Sequence, residues 1–142
     1  MDAARAGLSP REIAVSGLKA QRLRMNVIAN NIANASTTRT ETGEPFRRQM
    51  ALFRGDQVSP RVDTRRFGVR VPRIQDDPSP FRSVYEPNHP EANEDGYVAY
   101  PNVDLAVEMV NLVSAQRAYE ANIAVIASGG QMHNRALEIL QA

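Results

Sequence analysis

A chain of 142 residues with 17 basic and 16 acidic side chains, net charge +1, has no general electrostatic pull toward nucleic acid or an acidic membrane. It holds no cysteine, which excludes a disulfide framework and a thiolate metal site. The length suits one domain only if the apolar residues gather in one core. Instead they are periodic at the two ends, while eight of the nine prolines fall between Ser36 and Pro101.

Met1 to Leu8 carry no pattern and are expected to fray. Ser9-Pro10-Arg11-Glu12 then reads as a helix start, with Ser9 as N-cap, Pro10 at the first helical position and Glu12 completing a capping box. The helix should reach about Asn34, roughly 25 residues or ~37 Å. Ala14, Leu18, Gln21, Met25, Ile28, Ile32 and Ala35 alternate spacings of four and three and mark an apolar seam. Beside it Asn26, Asn30, Asn31 and Asn34 form a polar stripe. Spacing alone leaves open whether these amides bond to neighbouring helices or face water.

The middle reads as strands and turns. Thr42-Gly43-Glu44-Pro45 is a turn before a strand over Phe46–Arg54. Phe67, Val69 and Val71 alternate on a second strand that Pro72 should close or confine to an edge. Prolines between Asp76 and Pro90 are expected to block pairing, and Asn93-Glu94-Asp95-Gly96 offers a turn into Tyr97, Val98 and Tyr100. A two- or three-stranded element of this kind is too small to stand unaided.

Pro101-Asn102 is expected to end the last strand and cap a helix running to about Gln141, with Asp104 near its positive end. Leu105, Met109, Leu112, Gln116, Tyr119, Ile123 and Ile126 repeat the four-three seam, and Val103, Ala106, Val110 and Val113 begin a second one, so more than one neighbour is implied. Gly129-Gly130 should interrupt the helix, each costing about 1 kcal/mol relative to alanine. His133, Leu137 and Leu140 resume the seam beyond it. The fold class is therefore mainly α with a small β element. Long N- and C-terminal helices, residues 1–35 and 102–142, pair as a coiled coil, with a short Pro-rich β/loop module, residues 36–101, between them.

Catalytic chemistry fails on inventory. The two histidines, His89 and His133, have no second His or Cys at ligand spacing. Asp76-Asp77 and Glu94-Asp95 sit beside Pro or Gly as turn carboxylates. Arg61, Arg65, Arg66, Arg70 and Arg73 are diluted by nearby Asp and lack a pair of stacking aromatics. No catalytic residue, metal site or cofactor is expected, nor is a nucleic-acid or small-molecule partner. Lys19 is the sole lysine; this Arg bias fits carboxylate pairing at interfaces and fits genome composition equally. No apolar run of signal-peptide or membrane-span length is present, so residues alone read as cytosolic.

Three stretches carry a resemblance: NVIANNIANAST (Asn26–Thr37), PNVDLAVEMVNL (Pro101–Leu112) and AQRAYEANIAVI (Ala115–Ile126). They resemble the terminal signatures of the axial proteins of the bacterial flagellum, the rod, hook and hook-associated subunits. The short length and the run YEPNHPEANEDGYVAYPNVDLAVEMVN are most similar to proximal rod subunits. The resemblance implies a structural, non-enzymatic subunit that polymerises through its terminal helices into a torque-transmitting tube. It implies export from the cytoplasm without a cleaved signal, into the periplasm-spanning rod. The implied partners are copies of itself, other rod subunits, the basal ring complex and the flagellar export apparatus. Carried onto this sequence, the expected interface is Leu18, Met25, Asn26, Ile28, Asn30, Asn31, Ile32 and Asn34, with Asn102, Val103, Leu105, Met109, Leu112, Arg117, Tyr119, Asn122 and Ile123. Gly129-Gly130 and the acidic run HPEANED depart from the family pattern. The alternative readings are a small helical adaptor or chaperone-like module that captures a partner helix, and a coiled-coil dimer with a nucleic-acid-binding loop.

Overall fold

The computed structural model describes residues 9–57 and 67–141. The expected fraying at Met1–Leu8 and the basic run through Arg61, Arg65 and Arg66 lie outside them, as do the side chains of Phe67, His133 and Leu140. Two helices, α1 (Pro10–Ala33) and α2 (Leu105–Gln141), enclose four strands in sequence: β1 (Gln49–Gln57), β2 (Phe67–Asp76), β3 (Arg82–Tyr85) and β4 (Tyr97–Tyr100). The strands form two two-stranded sheets, β1–β2 and β3–β4. The chain groups into two compact units, one built from residues 1–23, 53–72 and 114–142, the other from 24–52 and 73–113.

The start of α1 follows from its first four residues. The Ser9 N–H donates to the Glu12 carboxylate at 2.6 Å and the Glu12 N–H to the Ser9 hydroxyl at 3.2 Å, the reciprocal capping box. Those bonds hold the Glu12 carboxyl below its ordinary range. At the other end the Asn34 side chain donates back to the Asn30 carbonyl and Oδ1 and accepts from the Thr37 hydroxyl. The Asn30 carbonyl, which already accepts the Asn34 N–H, thus takes a second bond at the helix end. The chain then reverses around Gly43, whose φ of 84° an L side chain rarely adopts, as the turn residues predict.

Four expectations are corrected, three of them between β1 and the start of α2. First, β3 forms inside the proline-flanked stretch and pairs antiparallel with β4 in the register Arg82↔Tyr100 to Tyr85↔Tyr97. Pro78, Pro80, Pro87 and Pro90 flank the four strand residues rather than interrupting them, so no ladder N–H is lost. Second, the described residues form four strands rather than two or three, and β1 begins at Gln49 rather than Phe46. Third, Asp104 rather than Asn102 caps α2: its carboxylate accepts from the N–H groups of Ala106 and Val107, because Asn102 is engaged elsewhere. Pro72 lies within β2, as an edge strand permits. The Asn93–Gly96 turn forms as expected, with Asn93 Oδ1 accepting from the N–H groups of Asp95 and Tyr97 and Gly96 at φ 79°.

The expected break at Gly129-Gly130 is also absent, since α2 is one helix from Leu105 to Gln141. About 2 kcal/mol of combined glycine cost does not stop a helix that strong helix formers propagate from both sides, because nucleation is already complete. A Cβ built on either glycine meets nothing within 4 Å. Replacing both by alanine should therefore stabilise the last third of α2 by about 2 kcal/mol. Slower amide exchange over residues 127–137 is the expected readout; unchanged exchange would contradict it.

Each unit has a small core. Ala14, Ala20 and Ala115 are buried in the first, and Val27, Ile28, Val98 and Val103 in the second. In the first unit α1 approaches α2 at Gly17, where a Cβ would stand 2.9 Å from Asn122 Oδ1. A side chain at Gly17 would force the Asn122 amide to move.

Candidate functional site

Two features of the fold bear on function: a buried polar clasp in the second unit and the outward faces of α2.

The clasp is centred on Glu108, which is fully buried. Its Oε1 accepts from Arg48 Nη2 at 2.7 Å and Nε at 2.9 Å, and its Oε2 accepts from Asn31 Nδ2 at 3.0 Å. Arg48 Nη1 reaches Asp77 Oδ2 at 3.0 Å. Asn31, 1% exposed, pairs with β1 as a strand would: its Nδ2 donates to the Gln49 carbonyl and its Oδ1 accepts the Gln49 N–H, each at 2.9 Å. Asn102 accepts the Arg48 N–H and donates to the carbonyls of Asp77 and Ser79. One network thus joins α1, β1, the turn after β2 and the start of α2. Every polar atom drawn into it has a partner, which a buried charge requires.

Burial works against the Arg48 charge, but hydrogen bonds and the field of Glu108 and Asp77 outweigh it and raise its pKa. Hydrogen bonds from the Ser79 hydroxyl and N–H, with a smaller part from Arg48, hold the Asp77 carboxyl below its ordinary range. A depressed carboxylate contributes stability that is present above its unfolded pKa and lost as pH falls through the folded one. Stability should therefore decline below about pH 4, and Asp77→Asn should flatten that decline in urea midpoints measured against pH. An equal slope in the variant would contradict the assignment.

The residues expected at the interface divide into three groups. Asn31, Ile28 and Val103 are buried, and Asn102 is tied down within the clasp. Leu18, Met25, Ile32, Asn34, Leu112, Tyr119 and Asn122 are half-buried; Asn122 donates to the Ala118 carbonyl. Asn26, Asn30, Leu105, Met109, Arg117 and Ile123 are exposed. Packing within the chain uses a different line of α2, through Glu108, Asn111, Ala115 and Asn122. The expected seam runs beside it. An undistorted helix drifts ~20° per heptad relative to a seven-residue repeat, which carries Leu112, Tyr119 and Ile126 to the margin of the packed line and leaves Leu105, Met109 and Ile123 outside it. Val107, Val110, Val125, Met132 and Ile139 make a second exposed apolar line.

Sequence reasoning missed Glu108, Arg48, Gln49 and Asp77. The one signal for Glu108 was a lone carboxylate inside the apolar run LAVEMV; nothing local marks its partners. Among the described residues no group of His, Cys, Asp or Glu is placed to hold a metal ion, and no helix is long and apolar enough to cross a membrane.

The helical ends are the parts that family patterns match. Residues 12–39 match the pattern described as flagella basal body rod protein, and residues 94–139 the one described as flagellar basal body rod FlgEFG protein C-terminal. The similarity extends through the centre. The flagellar basal-body rod protein FlgC of Borreliella burgdorferi is 45% identical over 91% of this chain and 94% of its own length. The chain belongs to the FlgC family of flagellar basal-body rod proteins. The Bacillus subtilis FlgC is 41% identical over 89% of the chain and 93% of its length, and that of Salmonella typhimurium 42% over 81% and 84%. Membership makes the chain a structural subunit of the rod, not an enzyme, which assembles with other rod proteins in the basal body. In FlgC terms the clasp is a scaffold that fixes where α2 begins relative to Asn31 and β1.

Proposed function

We propose that the subunit polymerises through its terminal helices, paired in coiled-coil fashion with neighbouring helices, into the torque-transmitting tube of the proximal rod. The observation that carries this reading is the distribution of uncovered apolar surface. Among the described residues, ten of the fourteen exposed large hydrophobic side chains lie on α2. Eight of the ten fall on two lines, Leu105–Met109–Ile123 and Val107–Val110–Val125–Met132–Ile139, with exposures from 46% to 77%. A helix left apolar on faces its own chain does not cover needs neighbours. Two such lines suit contacts with more than one helix, and non-closing contacts of this kind generate a tube. Exposed Leu105, Met109, Arg117 and Ile123, with Asn26 and Asn30 on α1, supply the interface, while Asn31, Val103 and Asn102 position it.

The neighbours in this reading are further copies, other rod subunits and the basal ring complex, reached after delivery by the flagellar export apparatus without a cleaved signal. Sedimentation of the chain at rising concentration, with electron microscopy of the pellet, tests it. Open-ended or tubular assemblies are expected. A single small complex of fixed size at every concentration would contradict polymerisation.

A further inference from the structure

The HPEANED run and the outer face of α1 carry opposite charge, and among the described residues each is only partly neutralised. From Glu86 to Tyr100 the β3–β4 connection holds Glu86, Glu91, Glu94 and Asp95 and no Lys or Arg. Glu91 pairs with Arg39 at 3.2 Å and Glu86 accepts from the Tyr100 hydroxyl. The exposed carboxylates of Glu94 and Asp95, at the tip of the turn that Asn93 and Gly96 shape, have no partner among the described residues.

On α1, Arg11, Lys19 and Arg22 are exposed and likewise unpartnered among the described residues, and the only acid on the helix is Glu12. At 100° per residue the three bases fall within an arc of about 80°, on the side away from buried Ala14 and Ala20. Alongside this face a groove of about 290 Å³ runs between α1 and β2, lined by apolar Val15, Ala20, Leu23 and Val69 and by the charged Lys19, Arg70 and Glu12, the last accepting from the Ser9 N–H. Arg70 already has a partner, so Lys19 and Arg22 carry the charge argument.

We propose that this groove and basic face receive the Asn93–Gly96 turn of a second copy of the same chain, with Glu94 and Asp95 set against Lys19 and Arg22. The turn is narrow, its glycine has no side chain, and its two carboxylates project at the tip. The groove has a largely apolar lining, and its two bases outnumber its one acid, Glu12. The contact joins two different surfaces, so it is heterologous and each copy both offers and accepts a turn. Charge complementarity of this kind fixes orientation and register between copies more than raw affinity. It is separate from the apolar lines of α2, and rests on the reading that copies of the chain assemble with one another.

The absence of native cysteine makes the test clean. Two full-length variants, Lys19→Cys and Glu94→Cys, are mixed under oxidising conditions at a concentration where the parent sediments as an assembly. The mixture should give a disulfide-linked dimer containing one chain of each kind, at least about tenfold above either variant alone, and 1 M salt during assembly should suppress it. Arg22→Glu and Glu94→Arg should each raise the concentration needed for assembly about tenfold or more, and the two placed in one chain should restore it. Assembly without the mixed dimer, or equal dimer in the single-variant samples, overturns the contact alone. A third variant carrying both Lys19→Cys and Glu94→Cys is oxidised in dilute solution, and a disulfide within its monomer overturns the contact as well. Failure of the parent to associate at any concentration overturns both this contact and the polymerisation reading.

Discussion

Arg48→Ala should destabilise the folded chain by about 3–5 kcal/mol, the cost of leaving a buried carboxylate without its counter-charge. Glu108 is fully enclosed and accepts three hydrogen bonds from two side chains, two of them from Arg48 at 2.7 and 2.9 Å. Removing the guanidinium strips both and also frees Asp77 from its ion pair. Glu108→Gln should cost less, because the amide oxygen can still accept from Arg48 and no charge is buried without compensation. Urea unfolding followed by circular dichroism gives the comparison. An Arg48→Ala loss no larger than about 1 kcal/mol, the scale of an exposed ion pair, would mean that Glu108 is not held as described.

Met109→Asp should abolish assembly while leaving the isolated chain folded. Met109 is 60% exposed, so a carboxylate there meets water in the free subunit, and an exposed substitution of this kind stays within about 0.5 kcal/mol. In an assembly that buries the α2 line, the same carboxylate loses its hydration without a partner, at a cost of several kcal/mol. Arg54→Glu, on an exposed strand position, should have little effect by comparison. Equal loss of motility from the two changes would contradict the assignment of α2 as the assembling face.

Both predictions depend on a distinction that was only partly legible in the sequence. Capping chemistry placed the start of α1 at Pro10, and four-three periodicity located both helices, because those signals are local. The same periodicity could not say which apolar line packs inside the chain and which faces a neighbour. Glu108 and Ala115 take the inner line, and a glutamate at its head is not what an apolar pattern selects for. Asn31 shows the same limit. Its spacing fitted an interface amide, yet its partners, Gln49 and Glu108, lie 18 and 77 residues away, a separation no local reading bridges. Asn102 was read as a helix cap for its residue type; Asp104 does that work because Asn102 is bound to Arg48 and the turn after β2. The prolines misled in the other direction, since they bracket β3 instead of preventing it.

The central claim is that the outward apolar lines of α2 become covered when the subunit enters the rod. Methionine oxidation reads this directly, because reactivity follows exposure. Met109 and Met132 are 60% and 72% exposed, one on each line, while Met50 on β1 is half-buried and serves as an internal reference. Isolated chain and intact basal bodies would be oxidised in parallel and quantified by mass spectrometry. The account predicts that Met109 and Met132 are protected about tenfold or more in the assembled rod with Met50 little changed. Equal oxidation of both methionines in the free and assembled states would contradict it.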